Sequence, residues 1–292
     1  MGSGHEPVLL AETMELLRVR PGGLYVDGTV GLAGHASAVL RASAPDGRLI
    51  GFDRDAETLQ RARASLAPFG ERARLEHADY REAPRLIGSE RPDGILLDLG
   101  ISSVQLDTAE RGFSFNADGP LDMRMDRSQG VSAADVVNRT RESELADLIY
   151  RYGEERASRR IARAIVAARE RRHFETTAEL AAVVRRAAGR QRRPGLDPAT
   201  RTFQALRIHV NQELAELGDA LTALLETLAP GGRMVVIAFH SLEDREVKQS
   251  FRAAAARGFA PLTKKPLRPG EDEVRRNPRS RSARLRAMER AA

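Results

Sequence analysis

The chain has 292 residues, 41% hydrophobic and 30% charged, with a formal net charge of +6 and an isoelectric point near 10.2, enough for roughly two folded domains. It contains no cysteine, which excludes disulfides, thiolate metal sites, iron–sulfur clusters and cysteine nucleophiles, and no metal is expected. No stretch reaches the roughly 18 apolar residues a membrane span needs and no signal-type run opens the chain, so a cytoplasmic protein without membrane contact is expected.

Short β-rich runs alternate with helical patterns over the first hundred residues, as in a parallel sheet with crossover helices. Strands are predicted at Leu24–Gly28, Arg48–Asp53, Ala73–His77, whose pattern is weaker, and Gly94–Leu99; unalternating apolar runs such as GILLDL suit strands buried on both faces. The stretch from about 104 to 217 is far longer than a crossover and is helical. Ile161, Ile165 and Ala168 share a face, Thr176 to Glu179 fits a capping box, and Asp197-Pro198 reads as N-cap and first helical residue. The stripe Phe203, Leu206, Val210, Leu214, Leu217, Leu221 and Leu224 predicts one long or kinked helix leading back to the turn Ala229–Gly232. A fifth strand follows at Arg233–Phe239. Pro266–Ser282 reads as a loop or partly ordered segment, and Ala283–Met288 as a short edge strand.

The basic charge is clustered. Residues 264–292 hold ten Lys/Arg against four Asp/Glu, and residues 156–201 thirteen Arg against four acids. The rest is acidic, and two basic zones on such a body fit either solvated helix faces or contact with a polyanion.

Ligands of an open parallel sheet bind beyond the carboxyl ends of its strands. The first strand ends in Asp27-Gly28-Thr29-Val30-Gly31-Leu32-Ala33-Gly34-His35, a glycine-rich turn into a helix N-terminus. Asp53 ends the second strand, where a carboxylate can accept ribose hydroxyls. Asp27 would repel a diphosphate but not S-adenosylmethionine, which carries a sulfonium and an ammonium and no phosphate. Tyr80 stands beyond the third strand as an adenine neighbour or a half-buried tyrosine. Asp98 ends the fourth, with Gln105 nearby, and the polar cluster His240-Ser241-Leu242-Glu243-Asp244-Arg245 follows the fifth. Glu110–Asp126 is an irregular segment dense in aromatics, carboxylates and Arg, read as a substrate loop or as a structural tie.

The residues resemble one family closely, the MraW family of ribosomal RNA small-subunit methyltransferases, which methylate N4 of a cytidine in 16S ribosomal RNA. The resemblance spans nearly the whole chain. It rests on HEPVLL at His5, YVDGTVGLAGH at Tyr25, GFDRDAETL at Gly51, GILLDLGISSVQLD at Gly94, ERGFSFNADGPLDMRMD at Glu110, YGEERASRRIARAIV at Tyr152, PATRTFQALRIHVNQEL at Pro198, FHSLEDREVK at Phe239 and NPRSRSARLR at Asn277. It implies an α/β, Rossmann-like S-adenosylmethionine-binding domain with a mostly parallel sheet (1–103 and 218–292) and an inserted all-helical substrate domain (104–217). The implied substrate is 16S ribosomal RNA in the small subunit. Carried over by position, cofactor contacts fall on Ala33, Gly34, His35, Asp53, Tyr80, Asp98 and Gln105. Leu32-Ala33 stands where Arg-Gly is common in the family, and Tyr80 where Phe is common; Ala33 supplies the same backbone N–H provided it avoids positive φ.

Residue chemistry narrows the acceptor. Cytosine C5 methylation normally needs a thiolate, absent here, and ribose 2′-O methylation commonly uses several lysines, of which this chain has three, Lys248, Lys264 and Lys265. An exocyclic amine remains, with Asp98, Asp122, Asp126 and His240 as candidates to hold the N–H and take the surplus proton. Phe113, Phe115 or Phe239 could stack on the base. Arg159, Arg160, Arg163, Arg190, Arg192 and Arg193 are expected to position RNA. A nicotinamide-dependent oxidoreductase, a DNA amine methyltransferase and a non-catalytic RNA-binding assembly factor remain as rivals.

Overall fold

The computed structural model describes residues 7–189 and 197–292. His5 and the candidates Arg190, Arg192 and Arg193 lie outside the described residues. No helix among the described residues is long and apolar enough to cross a membrane. The chain forms two compact units: residues up to Gly100 together with Leu214–Ala292, and Ile101–Glu213.

The first unit is built on seven strands: β1 (Leu24–Asp27), β2 (Arg48–Asp53), β3 (Ala73–His77), β4 (Gly94–Asp98), β5 (Arg233–Ala238), β6 (Phe259–Pro261) and β7 (Arg284–Arg290). Their order is β3-β2-β1-β4-β5-β7-β6. The first five are parallel and β7 is antiparallel to both neighbours. Alternate residues enter opposite apolar layers. Val26, Ile50, Phe52, Ile95, Leu97 and Val236 pack with Leu221, Leu224 and Phe251, while Tyr25, Leu49, Leu96, Val235 and Ile237 pack with Leu9, Leu17, Leu40 and Leu66. Burial on both faces is why these strands read as continuous apolar runs. The chain order reverses beside β1, and a crevice beyond the carboxyl ends of β1 and β4 follows from that topology.

The structure departs from several sequence expectations. The segment Arg284–Arg290 is not an edge strand: it lies between β5 and β6, and β6 is the edge. Pro266–Ser282 is folded, with a helix at Glu271–Arg276, a 3-10 turn at Pro278–Ser282 and a bridge from Leu267 to Leu285. The leucine stripe is not one helix. It is split into Thr200–Asn211 and Leu217–Thr227, with Gln212 and Glu216 both left-handed (φ +50° and +58°). The period persists across the break because both helices bury an apolar face, each in its own core.

The second unit is helical, with helices at Ala133–Arg139, Glu142–Gly153, Ser158–Arg169, Thr177–Ala188 and Thr200–Asn211 around one apolar core. Thr176 and Glu179 form the capping box before Thr177. Asp197 is not the N-cap of the next helix. It accepts the Ala199 N–H at 2.8 Å, and Ala199 is the N-cap residue before Thr200.

The segment 110–126 is built into this core. Phe113, Leu121, Met123 and Met125 are buried in it. Arg111, 2% exposed, donates to the carbonyls of Arg124 and Met125. Asn211 clamps the same stretch, donating to Met123 O at 2.7 Å and Arg207 O at 2.9 Å and accepting the Met125 N–H at 2.8 Å. Asn211→Ala would leave buried backbone groups unpaired. The substitution should lower stability by about 2–4 kcal/mol, read as a shift of the urea midpoint.

Candidate functional site

The turn after β1 is organised by hydrogen bonds across the sheet ends. Gly28 N–H donates to Leu96 O, Val30 N–H to Phe52 O, and Asp98 N–H to the Thr29 hydroxyl at 2.6 Å. Gly31, at φ +54°, donates its N–H to Asp53 Oδ2 at 3.0 Å, while Asp53 Oδ1 accepts the Asp55 N–H. Gly28 is required by crowding: a Cβ there would lie 2.3 Å from Leu97 Cδ2 and 2.9 Å from Tyr80 Cβ.

Ala33 departs from expectation. It does not avoid positive φ but sits at φ +67°, ψ 26°, fully buried, and donates its N–H to Val30 O at 2.8 Å. That backbone donor is therefore spent within the turn. The helix Gly34–Ala42 that follows has no side-chain cap, so its first turn presents the positive end of the helix.

Three carboxylates gather around this turn. Asp27 is buried and accepts the Thr29 N–H; burial, reinforced by Asp53, pushes its carboxyl up to about 7. Burial raises Asp53 to about 6 against the opposing N–H bonds from Asp55 and Gly31. Asp98 reaches about 8, through burial first and then the nearby charges of Asp27 and Glu243. Its Oδ1 is buried with no hydrogen-bond partner among the described residues, and its Oδ2 lies 3.7 Å from His35 Nε2. Like charges held close in a low-dielectric crevice resist ionisation, so the donor set favours a cation.

Tyr80, half-buried, opens a 3-10 turn, and burial raises its phenol. Its neighbour Asp79, a residue that sequence reading passed over, caps that turn and binds Arg81 through both carboxylate oxygens at 2.8 Å; burial opposes its charge, but Arg81 outweighs it and holds the carboxyl below the ordinary range. Asp79 thereby seats Tyr80 beside Gly28. His240 is the N-cap of the helix Ser241–Ala255, locked in a capping box with Glu243.

Gln105, Asp122 and Asp126 belong to the helical unit. Gln105 is buried and its carboxamide oxygen accepts the Ser102 N–H in a capping box. Asp122 is gripped by Arg124 through Nε at 2.7 Å and Nη2 at 3.0 Å, which overcomes the cost of its burial and lowers its carboxyl. Asp126 accepts from Ser128 and Gln129. Both acids are thus committed locally. Phe113 is core, and Phe115 packs edge-on to Phe203 with ring centroids 4.7 Å apart; Phe239 is half-buried at the end of β5.

Among the basic candidates, Arg159 is exposed, Arg160 donates to Ala188 O at 2.6 Å, and Arg163 faces Glu142 at 3.6 Å while staying 78% exposed. Part of the C-terminal charge is used internally. Arg286 pairs with Asp244 at 2.7 Å, and Arg290 donates to the carbonyls of Glu226 and Leu228.

Because folding raises these three carboxyls, the stability associated with them is present below their unfolded value near 3.8 and is lost as pH rises through 6 to 8. Asp98→Asn should therefore stabilise the ligand-free protein, by about 1–2 kcal/mol or a few degrees in Tm at pH 8 and by less at pH 5. Thermal scans at the two pH values measure this.

The model of the MraW methylase family matches residues 2–291. Relatives named ribosomal RNA small subunit methyltransferase H include those of Acidobacterium capsulatum (53% identical, covering 98% of each chain) and Geobacter sp. strain M21 (52%, 98% of each). That of Symbiobacterium thermophilum is 50% identical over 99% of this chain and 97% of its own. With a family model spanning nearly every residue and relatives at half identity over full length, the chain belongs to the MraW methylase family.

Proposed function

We propose that the protein transfers a methyl group from S-adenosylmethionine to the N4 amine of a cytidine in 16S ribosomal RNA of the small subunit, in the cytoplasm. The observation that carries the cofactor half is the cluster of Asp27, Asp53 and Asp98 with raised carboxyls around an uncapped helix start. A dinucleotide would set a diphosphate against these acids. A sulfonium and an ammonium relieve their mutual repulsion.

In this reading Asp53 accepts ribose hydroxyls with the lone pairs left by Gly31 and Asp55. Gly34 and His35 contribute the helix start, Ala33 shapes the turn, Asp27 faces the cationic end and Tyr80 borders the adenine. The cofactor, when bound, supplies an electrophilic methyl on sulfur. The protein's part is to align the amine, exclude water and take away one N–H proton. Asp98 suits that last task, since its buried Oδ1 has no hydrogen-bond partner among the described residues and its raised carboxyl can hold a proton near neutrality. Asp122 and Asp126 are already engaged by Arg124, Ser128 and Gln129.

The helical unit is assigned to RNA positioning, as the resemblance implies, with Arg159 and Arg163 as its exposed cations on Ser158–Arg169. Replacing both with Ala should weaken binding to unmethylated small subunits and reduce the slope of log K against log salt by about 1–2. An unchanged slope would remove them from the interface. Mass mapping of nucleosides after incubation with S-adenosylmethionine and unmethylated small subunits should yield N4-methylcytidine at one position. Intact cofactor binding with no incorporation would favour an assembly factor.

A further inference from the structure

The turn after β5 fixes the protonation form of His240. Glu243 N–H, an obligate donor, points at His240 Nδ1 at 3.2 Å. Nδ1 is therefore the acceptor nitrogen, and in the neutral ring the proton resides on Nε2. Glu243, 2% exposed, completes the lock, since its Oε2 accepts the N–H of Phe239 at 2.8 Å and of His240 at 3.3 Å. The same Nδ1 acceptor caps the 15-residue helix Ser241–Ala255.

The Nε2 atom is buried and has no hydrogen-bond partner among the described residues; it lies 3.1 Å from Glu243 Oε1 without hydrogen-bond alignment. The register brings this donor to the end of the sheet that carries Asp98. Asp98 pairs with Ile237, Leu99 N–H donates to Ile237 O, and a Cβ on Gly100 would lie 3.3 Å from the Phe239 ring. Adjacent strand ends thus carry one buried acceptor, Asp98 Oδ1, and one buried donor, His240 Nε2–H. An aminated base presents the complementary pair, an exocyclic N–H beside a ring-nitrogen acceptor.

We propose that His240 serves the reaction as a hydrogen-bond donor locked in its Nε2–H form, holding the ring nitrogen next to the target amine, and that it is not the proton acceptor. This rests on the amine-methylation reading above. Glu243 is the positioning residue that keeps the ring in that form.

Two variants separate donor, base and helix cap. In His240→Gln the terminal amide puts an N–H where Nε2 was, but the cap acceptor is lost. In His240→Ser the hydroxyl keeps the cap, but no donor reaches as far. The donor role predicts that His240→Gln keeps methyl transfer within about tenfold of wild type despite a lower Tm, whereas His240→Ser stays as stable as wild type and loses about a hundredfold or more in kcat. Equal loss in both would mean that the ring acts as a base, and retained activity in His240→Ser would mean that it acts as a cap alone; either overturns the proposal. Nitrogen-15 NMR of the histidines gives a readout independent of turnover, with the proton expected on Nε2 of His240; a proton on Nδ1 overturns the proposal. Wild-type protein that incorporates no methyl group would overturn the amine-methylation reading and the donor role with it, whereas a proton on Nδ1 in active enzyme would overturn the donor role alone.

Discussion

Three aspartates at the carboxyl ends of β1, β2 and β4 are the constraint around which the sheet unit is arranged. Parallel strands end side by side, so residues 27, 53 and 98, far apart in sequence, converge. Each is desolvated by the layers that bury the strands, and Asp27 adds to the burden on Asp98. The fold retains this repulsion at a cost in stability. Such local destabilisation is common where a crevice is shaped for a partner of opposite charge.

The turn between β1 and the helix Gly34–Ala42 shows a second cost. Ala33 in a left-handed conformation costs about 1 kcal/mol or more relative to glycine, yet its methyl is fully buried in the apolar layer with Val30, Ala36 and Val39. Burying that methyl offsets a similar amount. This explains how an alanine persists at a position with a glycine's backbone geometry. The Thr29 hydroxyl, by accepting the Asp98 N–H, ties the turn to the end of β4.

Much of this was legible in the sequence, for identifiable reasons. Continuous apolar runs located β1, β2, β4 and β5 to within a residue at their carboxyl ends, because both faces are buried, whereas β3 is only partly buried and carries a weaker pattern. Strand-end position singled out Asp27, Asp53, Asp98 and His240 before any contact was known. Less legible were features that depend on partners distant in sequence. The insertion of Arg284–Arg290 between β5 and β6 leaves no local trace, since an inner antiparallel strand and an edge strand share the same short pattern. The break after Asn211 was hidden because a helical period continues through two left-handed residues. The density of acids and arginines in 110–126 fitted a substrate loop or a structural tie, and the internal bonds made by Arg124 and Asn211 depend on partners the pattern does not reveal. Asp79 and Glu243 were passed over as sites, although an acid three residues after a cap position is the signal that reveals Glu243.

The chemistry follows from this arrangement: an acid cluster that favours a cation, an uncapped helix start, and a donor and an acceptor at adjacent strand ends. If the crevice is shaped for a cation, cation binding restores ionisation to the clustered carboxylates. Calorimetric titration with S-adenosylmethionine at pH 7, in buffers of differing ionisation enthalpy, tests that claim most directly. A net release of protons, approaching one per cofactor bound, is expected. Binding with no proton release, or with uptake, would contradict it.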